Sequence, residues 1–323
     1  MAPPPRFPIA VERTSIMSTT RRPSGELVKL SPFRCVPADI APRDVQDLMA
    51  YPFFSLAKSP RVTPIDFRMG ELSIRVDATP EYGMATIWDA DILIWAASQI
   101  IAARNGGRDT SRLMLATPRE ILTFIDRGTS ARDYHRFRAA LDRLQSTTIE
   151  TSIRQPAERW TRRFSWINEW KERTDASGRP LGVELVLTDW FYRAVLDNDL
   201  VLSIDRAYFA LTGGLERWLY RIVRKHGGRQ KGGWSFELDH LHLKSASLSP
   251  FKRFAFELRD IVRRQPLPGY ALTIERNSRG HECLMFKPAE SGAQTEMRIE
   301  PATKSRSPKS TGRKPVDNSV DKL

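Results

Sequence analysis

One order of elements occurs twice along this chain, and that repetition limits the possible folds more than any other feature. Each copy reads as a helix, a short helix, a turn, an amphipathic helix and a two-stranded ribbon. In the first copy, Thr117 is the expected N-cap of the short helix, with Pro118 in its first position and Glu120 three residues after the cap. The amphipathic helix is expected to begin at Ser130 with Asp133 in the first copy and at Ser249 with Pro250 in the second. Thr212 is the expected cap of the first helix of the second copy. The pattern predicts two α+β units, each built around a helix-turn-helix.

The stretch "RAALDRLQSTTIETSI", residues 138–153, passes from helical spacing of apolar residues directly into β-branched residues, without a Gly or Pro between them. We expect this strand to be the first strand of a wing, paired with "RFSWINEW" at residues 163–170. The second copy ends in "YALTIERNSRGHECLMFK", which predicts a hairpin around residues 277–280. The predicted fold is therefore α+β, with two tandem winged-helix domains.

Changes in composition set the expected domain limits. Residues 1–45 are rich in Pro, Ser and Arg, and residues 289–323 are similar and basic, so both are predicted to be disordered tails. Between them we expect a first winged-helix domain over residues 46–180 and a second, DNA-binding winged-helix domain over residues 181–288.

The charge of the chain points to a polyanionic partner. The net charge is +13, and nucleic acid is the expected partner because a basic surface gains free energy by displacing counterions from phosphates, with a membrane surface as the alternative. The excess is concentrated between residues 213 and 264. The N-terminal residues lack the apolar core of a signal peptide, and the longest apolar run, residues 92–103, is too short to span a bilayer. We therefore expect a cytoplasmic protein without membrane contact.

In both amphipathic helices, cations fall on the face opposite the apolar stripe, as in a helix that enters the major groove. The predicted DNA-contact residues of the first domain are Arg132, Arg136 and Arg143 on the helix and Arg162 and Arg163 on the wing, where Arg154 and Arg159 also lie. Those of the second domain are Lys252, Arg253, Phe256, Arg259 and Arg263 on the helix and Arg276 and Arg279 on the wing. A basic helix with Arg217, Arg221, Arg224 and Lys225 precedes them and is expected to hold flanking phosphates.

Several long motifs between residues 50 and 287 resemble those of the plasmid replication initiator protein A family. They are "YPFFSLAK", "YGMATIWDADILIWAASQI", "ALDRLQSTTIETSI", "FSWINEW", "LTDWFYRAVL", "YFALTGGLERWLYRIVRKHGG", "HLKSAS" and "LPGY". The resemblance implies paired winged-helix domains that bind repeated sites in a plasmid origin, open the duplex and recruit the host replicative helicase or host initiator. It also implies a monomer-dimer equilibrium in which the dimer represses the initiator's own promoter.

Two other classes of function fit parts of the sequence. A transcriptional repressor would have the same two domains. A rolling-circle nickase would use a His-hydrophobe-His metal site with a nucleophilic Tyr on a downstream helix. His240 and His242 supply such a triplet, but the only downstream tyrosine, Tyr270, begins a predicted strand. Because the chain also lacks a phosphate-binding Gly-x-x-x-x-Gly-Lys loop, and Cys35 and Cys283 are too few for a zinc site, we expect no enzymatic activity, cofactor or metal.

Overall fold

The computed structural model describes residues 31–35, 40–154, 162–177, 180–228, 230 and 232–289. The α-helices in these ranges are α1 (Gln46–Ala50), α2 (Ala90–Asn105), α3 (Pro118–Phe124), α4 (Ala131–Ser146), α5 (Asp189–Leu196), α6 (Gly214–Gly227), α7 (Leu238–Ser245) and α8 (Phe251–Arg264). The strands are β1 (Phe33–Arg34), β2 (Arg43–Val45), β3 (Ile65–Met69), β4 (Leu72–Asp77), β5 (Leu113–Ala116), β6 (Thr148–Thr151), β7 (Arg163–Phe164), β8 (Ile167–Thr174), β9 (Pro180–Leu187), β10 (Val201–Ser203), β11 (Trp234–Glu237), β12 (Tyr270–Arg276) and β13 (Glu282–Pro288). In the part of the chain described, every helix is too short or too polar to cross a membrane.

The repeated order of elements predicted from the sequence is present. The first module consists of α2, β5, α3, α4, β8 and β9, and the second of α6, β11, α7, α8, β12 and β13. In each module the third strand lies between the other two, giving the orders β5-β9-β8 and β11-β13-β12. β1 adds to the first of these sheets by pairing in parallel with β5. The fold is thus mixed α+β, with one arrangement used twice.

The ribbon of the first module is not the one that the sequence predicted. β6, which follows α4, pairs with β4 and, over two residues, with β7, so it belongs to the separate sheet β3-β4-β6-β7. The module is completed by β8 and β9, which pair along nearly their whole length. The predicted pairing of residues 148–153 with 163–170 is therefore present only over two residue pairs, because the longer partner of β6 is β4. Ile149 lies opposite Phe164 on one side and Val76 of β4 on the other, and the side chains of Ile149 and Val76 are fully buried there.

The junction that prompted this prediction has a local cause. Thr147 ends α4 in an extended conformation, and its buried hydroxyl accepts a hydrogen bond from the N–H of Ala85, at 2.8 Å. The threonine thus satisfies a buried donor while the chain turns into β6. No Gly is required, since the C-cap residue does not adopt a positive φ.

Two predicted limits need correction. The boundary at residue 180 falls at the first residue of β9, which pairs with β5 and β8, so the sheet of the first module extends to Leu187. The tail predicted over residues 1–45 extends too far, because β1 and β2 lie within it and Phe33 and Val45 are buried. Residues 1–30 and 290–323 lie outside the described residues, as does the predicted wing residue Arg159.

The buried side chains of both modules pack in one continuous core, and the described residues between 31 and 288 belong to one compact unit. α2 lies at its centre and is buried on nearly every side, which is why its sequence is apolar all round rather than striped. Among its few polar residues, Asp91 is fully buried. A charge in that position needs a partner from a neighbouring element.

In the first module, both helices of the helix-turn-helix, α3 and α4, begin at the capping residues that the sequence predicts. The Thr117 hydroxyl accepts from the Glu120 N–H at 3.2 Å, and the Glu120 carboxylate accepts from the Thr117 N–H at 2.7 Å. Ser130 and Asp133 make the same reciprocal pair at the start of α4. In the second module the N-cap of α6 is Gly213 rather than the expected cap Thr212, and the Glu216 carboxylate accepts a hydrogen bond from the Gly213 N–H.

Thr117→Ala is therefore expected to reduce the free energy of unfolding by about 1 kcal/mol, because it removes the acceptor of one capping hydrogen bond. Chemical denaturation monitored by circular dichroism measures the change. Thr123→Ala is the matched control, since Thr123 lies exposed in the last turn of the same helix, away from the cap, and Ala is a favourable helix former. Equal effects of the two substitutions would show that the cap contributes nothing.

Candidate nucleic-acid interface

The outward face of α8 combines cations with one large apolar side chain. Phe254, Ala255, Leu258 and Ile261 are buried against the core. The residues predicted to face outward are all exposed; they are Lys252, Arg253, Phe256, Arg259 and Arg263. Phe251, the first residue of the helix, is apolar and yet also exposed. The amphipathic division of α8 is thus as predicted apart from its first residue.

Each arginine on this face of α8 is held by a carboxylate. Arg253 pairs with Glu257 at 3.0 Å, Arg259 with Glu282 of β13, and Arg263 with Asp260. All three guanidinium groups remain substantially exposed. Exposed pairs of this kind contribute about 0–1 kcal/mol, so exchanging the carboxylate for a phosphate would cost little. The pairs therefore orient the arginine side chains but leave them available to bind another anion.

The turn between β12 and β13 carries the two predicted wing cations. Arg276 and Arg279 are both exposed there. The Asn277 side chain fixes the turn: its oxygen accepts from the N–H groups of Arg279 and His281, both at 3.0 Å, and its amide donates to Glu237 at 2.7 Å. The predicted hairpin is therefore present, and its tip is held in one shape next to β11.

In the first module, α4 presents fewer cations than predicted. Arg132 and Arg136 are exposed near its start. Arg143 is not an outward residue, because its guanidinium forms a bidentate ion pair with Asp89, with N–O distances of 2.7 and 2.8 Å. The Asp89 carboxylate is almost fully buried and needs a cation, which Arg143 supplies. We therefore remove Arg143 from the candidate DNA contacts.

The other predicted cations of the first module lie away from its ribbon. Arg162 and Arg163 are exposed beside β7 and pair with Asp189 and Glu150. Arg154 is half-buried, pairs with Asp47 at 2.9 Å and stacks on Trp190. The ribbon itself carries Lys171 and Arg173, which the sequence analysis missed because the only apolar residues of "INEWKERT" are Ile167 and Trp170, so no alternation of polar and apolar residues marks them as strand residues.

Two of the four cations that were predicted to hold phosphates on the basic helix α6 are buried. The residues predicted for that role are Arg217, Arg221, Arg224 and Lys225. Arg217 and Arg221 are only 1% exposed, and each forms a bidentate ion pair with a buried aspartate. Arg224 donates to the carbonyl of Ser203, and Lys225 to the side chain of Gln46. These contacts connect the second module to other parts of the chain, so the phosphate-binding prediction is wrong for the buried Arg217 and Arg221. For Arg224 and Lys225, which are partly exposed, it stays a prediction.

The Arg217 site joins three elements. Its guanidinium donates to both oxygens of Asp91 at 2.8 Å and to the carbonyls of Leu211 and Phe209 at 2.7 Å. Arg127, from the turn between α3 and α4, donates to the same carboxylate at 3.1 Å. Burial raises the pKa of Asp91, and the two guanidinium groups act in the opposite direction. Asp91 on α2 thus connects the first helix-turn-helix to α6.

Further contacts connect the second helix-turn-helix to the chain before α2. Lys244 of α7 is buried, with its Nζ 4.7 Å from the centre of the Tyr51 ring, and burial lowers its pKa to about 8. Arg61 donates to the carbonyl of Ala246 at 2.8 Å. Arg221 of α6 binds Asp44 of β2. These contacts and the Arg217–Asp91 pair extend along much of the second module.

The residues considered for a nickase each contact a different neighbour within the chain. His242 makes a hydrogen bond with the carbonyl of Ser249 at 2.7 Å, while the ring of His240 stacks on Phe236. Tyr270 packs against Tyr220 at the start of β12, and burial raises the pKa of its hydroxyl. Among the residues that the structure describes, no three His, Cys, Asp or Glu side chains are placed to hold a metal ion.

Comparisons with known proteins identify the class to which this fold belongs. The model of the family described as replication initiator protein A matches residues 43–272. A protein of Wigglesworthia glossinidia brevipalpis named "Putative replication protein" is 33% identical over 226 residues, which are 69% of this chain and 81% of that protein. The chain belongs to the replication initiator protein A family.

The solved structures that resemble this chain include domains 2 and 3 of RctB. A selenomethionine derivative of these domains matches with a TM-score of 0.54 and 15% identity, covering 74% of this chain and 96% of that one. A second crystal structure of RctB domains 2–3 matches with a TM-score of 0.51 and 14% identity, covering 76% of this chain and 97% of that one. At this identity the likeness shows a shared fold.

Arg217→Ala is expected to reduce the free energy of unfolding by about 3–5 kcal/mol, because it leaves the buried Asp91 carboxylate without its main partner. Urea denaturation measures the change. Arg193→Ala is the control: Arg193 pairs with Asp189 at 2.9 Å on an exposed helix face, and its loss should cost less than about 1 kcal/mol. Removing Asp91 and Arg217 together should cost less than the sum of the single changes; additive costs would show that the pair is not coupled.

Proposed function

We propose that this chain initiates plasmid replication by binding double-stranded DNA at repeated sites in the plasmid origin, with both modules acting as winged-helix domains. The exposed cationic face of α8, next to the β12–β13 turn with Arg276 and Arg279, is the observation that carries the proposal. A second helix of a helix-turn-helix that lies beside a basic ribbon matches the way such proteins enter the major groove and hold the flanking backbone. Membership of an initiator family supports the same function.

The contacts between the modules favour one continuous site on the DNA. α6 is joined to α2 and β2 by buried ion pairs, so we propose that α4 and α8 bind together, as parts of one body, to a site of fixed length. The remaining contact residues of the first module are Arg132 and Arg136. Arg162 and Arg163 are exposed, and they stay candidates for backbone contacts outside the groove.

The later steps of initiation follow from the family relationship. We propose that the bound protein opens the origin duplex and recruits the host replicative helicase or host initiator in the cytoplasm. A monomer-dimer equilibrium would divide the protein between initiation and repression of its own promoter. We propose no catalytic step in this sequence of events, and therefore no cofactor or metal.

The decisive experiment separates an initiator from a repressor or a nickase. A vector that cannot replicate, given this gene and its flanking repeats, should be maintained in host cells and lost when Lys252 and Arg253 are both replaced by Ala. Tyr270→Phe should still support maintenance if the protein is not a nickase, whereas a nickase would lose its nucleophile and with it the ability to replicate the vector. Repression without maintenance would favour the repressor, and protein covalently attached to a 5′ end of supercoiled origin DNA would favour the nickase.

Two arginines of α8 should differ in what they recognise. Arg253, in the first turn, is expected to contact base edges, so Arg253→Ala should reduce discrimination between origin repeats and scrambled DNA by about 1–3 kcal/mol. Arg263, near the end of the helix, is expected to contact phosphate, so Arg263→Ala should weaken both complexes equally and lower the salt dependence. Changes at Arg132 and Arg136 should reduce binding less.

Competition binding at 50 and 200 mM salt measures these differences. The wild-type affinity should fall on the order of a thousandfold between the two salt concentrations if several phosphate contacts form. Arg68→Ala is the matched control, because Arg68 is at least as exposed but lies on β3, outside both modules. A flat salt response, or greater damage from Arg132→Ala than from Arg253→Ala, would contradict the assignment of α8 as the main recognition helix.

A further inference from the structure

Phe256 is the most exposed large apolar side chain in the described part of the chain, with 70% of its surface accessible. It lies in the second turn of α8, on the side opposite the core residues Phe254, Leu258 and Ile261. A phenylalanine in water forgoes about 1.5–3 kcal/mol of favourable burial. Because its own fold leaves it uncovered, Phe256 is placed for contact with another molecule.

The surroundings of Phe256 indicate what that molecule is. Lys252 lies one turn before it, and Arg259 and Arg263 lie three and seven residues after it, all exposed on neighbouring positions of the helix. Apolar docking sites for proteins are usually depleted of charge at their centre. The residues three and four positions away from Phe256 on the helix are cations apart from Asp260, which itself pairs with Arg263 and Arg264. An exposed ring in such surroundings suits a polyanion that also presents a small apolar group.

DNA presents one such group in the major groove, the C5 methyl of thymine, and aromatic or aliphatic side chains contact it directly. Residues in the first turns of a recognition helix are those that approach base edges. We propose that Phe256 packs against thymine methyl groups in the major groove, so that the second module selects A·T pairs facing the second turn of α8. This inference rests on the proposed DNA binding by α8.

The groove beside Phe256 provides space for the proposed contact with a thymine methyl group. A cavity of about 500 Å³ lies between α8 and the start of α6, lined on its apolar side by Leu248 and Phe256. Leu248 precedes α8 and is 61% exposed. Arg253, which we assign to a base edge, lines the same cavity as these two apolar side chains. Adjacent positions on α8 would therefore read different bases, one by hydrogen bonds and one by methyl contact.

Replacing thymine with uracil tests this contact because it removes only the C5 methyl and leaves base pairing unchanged. The probe is a duplex that the full-length protein selects from a random pool, with each thymine changed in turn. At one or two positions the affinity should fall about fourfold, the value of one buried methyl group. With Phe256→Ala, the same uracil substitutions should have no further effect.

Two other variants serve as controls in the same titrations. Phe256→Leu keeps an apolar contact and should stay sensitive to uracil, and Arg263→Ala should bind more weakly but keep full sensitivity. Since Phe256 is exposed, its substitution should leave the melting temperature unchanged, which excludes misfolding as the cause.

Several results would overturn the proposal while leaving DNA binding intact. Uracil sensitivity that is the same in wild type and Phe256→Ala would remove Phe256 from base recognition. Loss of self-association in Phe256→Ala, with unchanged DNA affinity, would show a protein contact instead. A 2-aminopurine signal of base unstacking that depends on Phe256, without uracil sensitivity, would indicate a wedge between base pairs. Failure of the wild type to bind any duplex would refute the proposed function itself.

Discussion

The arrangement of the two modules depends on two buried ion pairs, Arg217–Asp91 and Arg221–Asp44. Removing four charged groups from water costs several kcal/mol for each ion, and the mutual attraction compensates only when geometry and further hydrogen bonds are good. Arg217 meets this condition, since its guanidinium also donates to two backbone carbonyls. A displaced module would leave these charges buried without partners. The pairs therefore specify one arrangement of the modules rather than simply adding attraction between them.

The position of Asp91 extends this constraint to the helix-turn-helix of the first module. It lies in the first turn of the central helix α2 and also receives Arg127, which leads from α3 into α4. Asp89, two residues earlier, binds Arg143 near the end of α4. Two neighbouring aspartates thus hold the helix-turn-helix of the first module at two points, and one of them holds α6 as well. A shift in the position of either module would therefore alter ion pairs at the same short segment around the start of α2.

Local signals in the sequence predicted more of this structure than charge patterns did. The capping residues Thr117 and Ser130, the apolar stripe of α8 and the turn at Asn277 each depend on neighbours within a few residues, and all are present as predicted. The partner of β6 and the burial of Arg217 depend on residues more than 70 positions away. An arginine opposite an apolar stripe looks the same whether it meets water or an aspartate from another element. For that reason the α4 and α6 cations were overestimated as DNA contacts, while the α8 cations were placed correctly on the surface.

This correction also changes how the net charge of the chain should be interpreted. Counted along the sequence, residues 213–264 carry a large positive excess, and α6 supplies a substantial part of it. Arg217 and Arg221 are neutralised by aspartates from outside that segment, so their charge has little effect at the surface. Among the described residues of the second module, the exposed cations lie mainly on α8 and the β12–β13 turn, where neighbouring carboxylates partly offset their charge. In the proposed complex, a surface of this moderate charge would attract DNA less strongly than the composition suggests, and it would leave more of the selectivity to groups that touch the bases.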